Sequence, residues 1–120
     1  MRCLAVLAFV AALAVPAGQA SAHSKLKSSV PANGTSVPGN FKEARLDFLE
    51  PIEAALSHFE LVDAAGKVLV RAEGAAACEA KSCRFAVDLL APGTYRIYYH
   101  ILSGDGHVIE GKIRFTVKAP

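Results

Sequence analysis

Residues 94–102 read Thr-Tyr-Arg-Ile-Tyr-Tyr-His-Ile-Leu and carry the clearest structural signal in this chain of 120 residues. Successive side chains of a β-strand point to opposite faces, so strict alternation predicts a strand with one buried side. The predicted inner face consists of Tyr95, Ile97, Tyr99 and Ile101. The outer face consists of Arg96, Tyr98 and His100. After a break at residues 103–106, residues 108–117 alternate in the same way and predict another strand.

Shorter stretches upstream have the same character and are separated by turn residues. They occupy residues 41–49, 57–63, 68–73 and 82–88. Gly66 lies in a predicted hairpin turn that needs a positive φ. We expect a loop or edge segment at residues 74–80 and at most a single turn at residues 53–56. Because no segment shows a sustained helical period, the sequence predicts an all-β, immunoglobulin-like Greek-key sandwich or barrel of about seven strands.

The first 22 residues have the organisation of a secretory signal peptide. Arg2 precedes an uninterrupted apolar stretch at residues 4–15, and Ala20-Ser21-Ala22 resembles a signal peptidase site. Twelve apolar residues are too few to cross about 30 Å of hydrocarbon as a helix, although a retained anchor is the alternative. We therefore expect cleavage of residues 1–22, a periplasmic location, no stable membrane insertion after cleavage, and one domain at residues 23–120 beginning at His23.

Charge and cysteine content limit the possible functions. The chain has 13 Lys and Arg against 11 Asp and Glu, and loss of Arg2 with the leader leaves 12 against 11. So balanced a charge gives no electrostatic basis for binding nucleic acid. Cys78 and Cys83 are the cysteines outside the leader, and export favours a disulfide between them. A pair of thiolates for Cu(I), or two free thiols, are the alternatives.

Two features indicate a metal site. Cleavage would place His23 at the N-terminus, where its amine and its imidazole can chelate one ion. Asp105 and His107 form an Asp-Gly-His motif, with a carboxylate and an imidazole two residues apart. Three nitrogens and one oxygen are a set that Cu(II) prefers, and Zn²⁺ is possible. Alone, an Asp-x-His motif is also compatible with an ordinary turn, and spacing does not show that residues 23 and 107 meet.

The remaining polar candidates have simpler interpretations. His58 and His100 fit solvated or structurally bonded histidines, and Glu50 fits a surface carboxylate. No nucleophile, phosphate loop or carboxylate pair has a suitable context, so the sequence does not predict an enzyme.

The two chain ends together resemble one family. The segment His-Ser-Lys-Leu-Lys-Ser-Ser-Val-Pro-Ala-Asn-Gly, from His23, is similar to the opening of the CopC-type periplasmic copper-binding proteins of bacterial copper resistance. The segment Ser-Gly-Asp-Gly-His-Val-Ile-Glu-Gly, from Ser103, resembles their S-x-D-G-H-P-x-x-G motif. The resemblance implies a Greek-key β-barrel or sandwich that holds Cu(II) through His23, Asp105 and His107. It also implies a Glu50 near the copper, as an outer or weak ligand.

The resemblance further implies sequestration of copper or its delivery to a partner, such as an inner-membrane transporter of the CopD type. Two departures stand out. No Met follows Met1, so the Met-rich Cu(I) loop of some members is expected to be absent, and Val108 replaces a common proline. Two rival functions remain: a metal-free immunoglobulin-like adhesion or assembly domain, and a copper monooxygenase with an N-terminal histidine.

Overall fold

The computed structural model describes residues 25–120 as nine β-strands in two sheets. The predicted leader and His23 lie outside the described residues. In chain order the strands are β1 (Leu26–Val30), β2 (Thr35–Val37), β3 (Glu43–Phe48), β4 (His58–Val62), β5 (Val68–Glu73), β6 (Cys78–Glu79), β7 (Ser82–Ala86), β8 (Gly93–Leu102) and β9 (Val108–Val117). A 3-10 helix, Ala54–Leu56, precedes β4, and a single helical turn, α1 (Gly74–Ala77), follows β5.

The two sheets pack face to face as a β-sandwich. One sheet has four strands in the order β1-β3-β7-β6, and the other has five in the order β2-β9-β8-β4-β5. All pairs are antiparallel except β2 with β9, which is parallel. The all-β sandwich prediction is therefore confirmed.

The core lies between the sheets and follows the predicted alternation. Tyr95, Ile97, Tyr99 and Ile101 of β8 are all buried. The apolar residues that β9 contributes are Ile109, Ile113, Phe115 and Val117. Gly66 has φ +83° in the β4–β5 turn, as predicted. Burying these faces is the main driving force for folding, at about 25 cal/mol per Å² of apolar surface.

Residues 25–120 form nine strands where about seven were expected, because β1 and β2 were not predicted. Neither strand has an apolar alternation: β1 reads Leu-Lys-Ser-Ser-Val and β2 reads Thr-Ser-Val. Each exists because a long strand offers it backbone partners, β3 for β1 and β9 for β2. The segment at residues 74–80 combines α1 with the short edge strand β6, beside the sheet. Neither helical segment in residues 25–120 has the length and hydropathy that a membrane-spanning helix requires.

Candidate metal centre

The loop between β8 and β9 brings Asp105 and His107 together at one end of the sandwich. His107 Nδ1 lies 3.0 Å from Asp105 Oδ2, and the His107 backbone N–H donates to Asp105 Oδ1 over 3.2 Å. The His107 side chain is 74% exposed, and that of Asp105 is 39% exposed. The contact engages Nδ1 and leaves Nε2 as the ring nitrogen for an incoming ion. The carboxylate and the imidazole of the predicted motif therefore share one accessible site.

Backbone hydrogen bonds fix the shape of this loop. The Ser103 N–H donates to the His107 carbonyl over 2.9 Å, and the Gly106 N–H donates to the Ser103 carbonyl over 2.9 Å. The Gly104 N–H donates to the Pro51 carbonyl over 2.8 Å, which ties the loop to the segment after β3. Gly106 has φ +88°, a conformation that glycine adopts at little steric cost. The loop is thus closed in itself and attached to its neighbour.

Ser103, which directly follows β8, influences the Asp105 carboxylate. The residue is 1% exposed, and its hydroxyl makes no hydrogen bond of regular geometry with a described residue. It nevertheless lies near enough to the Asp105 carboxylate to be the main cause of a lowered pKa. The His107 side chain and backbone N–H lower the pKa of Asp105 further. The carboxylate is therefore ionised throughout the neutral range, as a metal ligand must be.

The start of the described chain lies beside this loop. Lys25 Nζ is 3.7 Å from Asp105 Oδ2, and the Lys25 carbonyl accepts a hydrogen bond from the Leu49 N–H over 2.9 Å. Lys25 is thus held by its backbone and is paired with the loop by its side chain. No local pattern predicts this contact, because it joins residues 80 positions apart. Ser103 lies within a motif that we quoted, yet no role for it was predicted.

Glu50 lies next to the site without joining it. Its neighbours on either side are bonded to the site's components, Leu49 to Lys25 and Pro51 to Gly104. The Glu50 side chain is half-buried and forms no ion pair or hydrogen bond with another described residue. Within residues 25–120 no three His, Cys, Asp or Glu side chains are arranged to hold one ion. Among residues 25–120, Asp105 and His107 are thus a pair without a third such side chain beside them.

The cysteines lie near the same end. Cys78 and Cys83 are joined by a disulfide, with sulfur atoms 2.03 Å apart, across the β6–β7 hairpin. With the two sulfurs bonded to each other, neither is a thiolate ligand for Cu(I) in this structure. The hairpin supports the site's surroundings, since the Ala80 carbonyl accepts a hydrogen bond from the Ile52 N–H over 3.0 Å. Ile52 in turn forms a β-bridge with Ser103.

The other two histidines lie together on the outer face of the five-stranded sheet. His58 of β4 is the cross-strand partner of His100 of β8, and their rings stack with centroids 5.1 Å apart. His100 Nδ1 is 2.6 Å from Glu110 Oε1. Each histidine was expected to be solvated or structurally bonded, and the sequence did not reveal that the two are paired.

This chain is similar in sequence and in fold to proteins that are named copper resistance proteins. Over 124 aligned residues the chain is 30% identical to the copper resistance protein C of Xanthomonas campestris pv. juglandis, covering 98% of this chain and 97% of that protein. The crystal structure of CopC from Methylosinus trichosporium OB3b matches with TM-score 0.72 and 30% identity, over 78% of this chain and 92% of that one. PcoC, a methionine-rich copper resistance protein from Escherichia coli, matches with TM-score 0.61 and 27% identity, over 78% and 97% of the respective chains. The sequence model of the CopC domain matches residues 26–118, and the chain therefore belongs to the CopC family of copper resistance proteins.

Proposed function

We propose that this chain is an exported, periplasmic protein that binds Cu(II) at the end of the sandwich carrying the β8–β9 loop. Four ligands form the site: the N-terminal amine and the imidazole of His23, the Asp105 carboxylate and the His107 imidazole. Glu50 is an outer group beside the copper. The protein sequesters copper or delivers it, without turnover, to a membrane partner such as a CopD-type transporter.

The observation that carries this proposal is the 3.7 Å contact between Lys25 Nζ and Asp105 Oδ2. Residue 23 is two peptide units from Lys25, and two units span at most about 7.6 Å between Cα atoms. The hydrogen bond from Leu49 to the Lys25 carbonyl anchors the backbone at this position. A chelate at His23 is therefore within reach of Asp105 and His107.

The chemistry of the donors supports Cu(II). Amine and imidazole nitrogens with one carboxylate oxygen suit Cu(II), whereas Cu(I) prefers thioether or thiolate sulfur. No Met follows Met1, and Cys78 and Cys83 are joined to each other. Neither soft ligand type is available in residues 25–120, so an oxidised copper ion fits this chain best.

Release of the leader has a chemical role in this proposal. Removal of residues 1–22 creates the free amine of His23, whose ordinary pKa of about 7.7–8.0 allows it to lose a proton to a metal at neutral pH. Within the uncleaved chain the same nitrogen belongs to an amide. Copper binding is thus confined to the exported form.

The test compares the chain beginning at His23 with one that carries a single extra glycine before His23. Adding the same glycine after Pro120 is the matched control, because it changes length and composition without touching the amine. Cu(II) affinity is measured by competition with a chelator, and the ligand field by electron paramagnetic resonance. We expect the N-terminal extension to weaken binding more than the roughly 10- to 100-fold that loss of an outer-shell partner causes. Equal affinity and equal spectra in the two extended proteins would exclude the amine as a ligand.

A second pair of variants tests whether tight copper binding needs the histidine of the Asp-x-His motif or can use a histidine elsewhere on the surface. His107→Ala removes a proposed ligand, whereas His100→Ala removes a histidine of the outer sheet face. We expect the first to weaken tight Cu(II) binding and the second to leave it unchanged. If His107→Ala binds copper as tightly as the parent, the Asp-x-His motif does not hold the ion.

A further inference from the structure

A row of four side chains crosses the outer face of the five-stranded sheet. Strand register pairs Glu73 of β5 with His58 of β4, His58 with His100 of β8, and His100 with Glu110 of β9. Directly opposed residues in neighbouring antiparallel strands place their Cβ atoms about 4.5–5.5 Å apart on the same face. The row therefore reads carboxylate, imidazole, imidazole, carboxylate across four adjacent strands.

The geometry points to a second metal site, formed by the imidazoles of His58 and His100 and specific for divalent transition-metal ions. It is separate from the β8–β9 loop and uses none of the residues proposed for the first site. Imidazole nitrogen binds Zn²⁺, Ni²⁺ and Cu²⁺, and the order of divalent affinities places Cu²⁺ highest.

The spacing of the two rings suits one ion. A metal–nitrogen distance of about 2.0–2.1 Å plus a ring radius of about 1.1 Å puts each ring centroid about 3.2 Å from the ion. Two such rings at a tetrahedral angle have centroids about 5.2 Å apart. The observed centroids of His58 and His100 are 5.1 Å apart. Only the ring orientations, now 17° from parallel, have to change for a nitrogen of each to face the ion.

Glu110 contacts one ring nitrogen of His100 and so leaves the other available to a metal ion. Its Oε1 lies 2.6 Å from His100 Nδ1, which leaves Nε2 as the ligand atom. Histidines that bind metals usually donate their other ring N–H to a carboxylate, which fixes the tautomer and raises the basicity of the ligand nitrogen. Here the carboxylate is in place on the neighbouring strand, and the His100 side chain is 39% exposed.

The surroundings leave room for water to complete the coordination. A shallow cavity of about 470 Å³ lies over this face, and His58, His100 and Glu110 are among its lining residues. No three metal-binding side chains converge on a point within residues 25–120. The protein therefore supplies two nitrogens and the solvent supplies the other ligands, which makes this the weaker of the two sites.

Other acidic groups near the row are already paired. Arg71 contacts Glu60 Oε1 at 2.7 Å and Glu73 Oε1 at 2.9 Å. Glu110 is thus the carboxylate that acts on the imidazole pair. Glu60 provides a matched control, because it lines the same cavity and carries the same charge without bonding to either histidine.

The experiment is a ZnCl₂ titration of the chain from His23 onward, carrying His107→Gln and no affinity tag. The ring-proton resonances of His58 and His100 are followed by NMR. We expect both to shift together with one binding constant, as one ion shared by the two rings requires. His58→Gln and His100→Gln each abolish the shift at the remaining partner. Glu110→Gln weakens binding about tenfold, the low end for a carboxylate that orients a ligand, and Glu60→Gln has a much smaller effect.

Three results would overturn the site. In the first, the ring-proton resonances of both histidines stay unchanged at millimolar Zn²⁺. In the second, the His100 resonance shifts in His58→Gln with the same binding constant as in the parent, which shows that each imidazole binds independently. In the third, Glu60→Gln weakens binding as much as Glu110→Gln, which shows attraction by charge alone. Each outcome is read from the ring resonances of His58 and His100, which are not ligands of the proposed Cu(II) centre, so none of them depends on metal binding at His23 or Asp105.

Discussion

Replacing Gly111 by alanine will destabilise the sandwich strongly, although it adds a single methyl group. Gly111 of β9 faces Tyr99 of β8 across the strand pair, and the phenol ring lies over the glycine. A Cβ at this position would overlap Oη and Cζ of Tyr99 and would lie 3.0 Å from Cε2. The atoms in the way belong to a rigid ring, so one of the two strands or the ring itself must move.

The ring has little space into which it can move. Tyr99 is 2% exposed and packs edge-to-face with Phe48 of the other sheet, at a centroid separation of 5.7 Å. Overpacking of a well-filled core costs about 1–3 kcal/mol, and overlap with several atoms of a rigid ring puts Gly111→Ala near the upper end; alanine regains about 0.5–1 kcal/mol relative to glycine in a strand. We expect Gly111→Ala to lower the free energy of unfolding by about 2 kcal/mol. For a domain of this size that corresponds to a fall in Tm of roughly 8–16 °C.

Urea unfolding followed by far-ultraviolet circular dichroism measures this loss, since the chain has no Trp. A double-mutant cycle tests the cause. In a Tyr99→Leu background the ring is gone, and Gly111→Ala is expected to cost less than about 0.5 kcal/mol, which gives a coupling energy of about 1.5 kcal/mol or more. If Gly111→Ala costs the same in both backgrounds, contact with the ring is not the reason for the glycine.

Three further predictions concern the end of the sandwich that carries the β8–β9 loop. Ser57→Ala removes the buried hydroxyl that accepts a hydrogen bond from the Leu102 N–H over 3.0 Å. We therefore expect the free energy of unfolding to fall by about 1–3 kcal/mol, and an unchanged urea midpoint contradicts this. Neighbouring groups lower the pKa of Asp105 in the folded protein. Its carboxylate therefore stabilises the fold fully at pH values above the ordinary Asp pKa of about 3.9, and this stabilisation is lost progressively as the pH falls below that value. The difference in free energy of unfolding between the parent and Asp105→Asn is therefore larger at pH 7 than at pH 2.5. A difference that does not depend on pH refutes this prediction. Reducing the Cys78–Cys83 disulfide, which closes a very short loop, lowers the free energy of unfolding by about 2 kcal/mol; urea curves with and without dithiothreitol that coincide refute it.

The parts of the fold that sequence could predict are those in which local pattern and tertiary position agree. In β8 every buried residue was predicted, and β9 was predicted as a strand with the same alternation, because pattern and burial coincide over ten residues in each strand. β1 and β2 have no such pattern, and their strand character comes from pairing with β3 and β9. Pairing over long sequence distances leaves no local signal, which is why these two strands were missed.

The same difference between local and long-range contacts applies to the residues of the candidate site. Asp105 and His107 are close in sequence, so their shared location followed from a short motif. The approach of Lys25 to Asp105 depends on the path of β1, and the pairing of His58 with His100 depends on the register of β4 against β8. Neither of these can be read from a single sequence, and both became visible only in the folded chain.

The hydrogen bonds that close the loop at Ser103 have a kinetic consequence. Because the Ser103 and Gly106 N–H groups and the Gly104 bond to Pro51 already hold its shape, the loop gives up little conformational entropy when an ion arrives. Binding of an ion at Asp105 and His107, as proposed, then requires no slow rearrangement of these two residues. We therefore expect the steps at this loop to be limited by encounter and by loss of water from the ion rather than by movement of the loop.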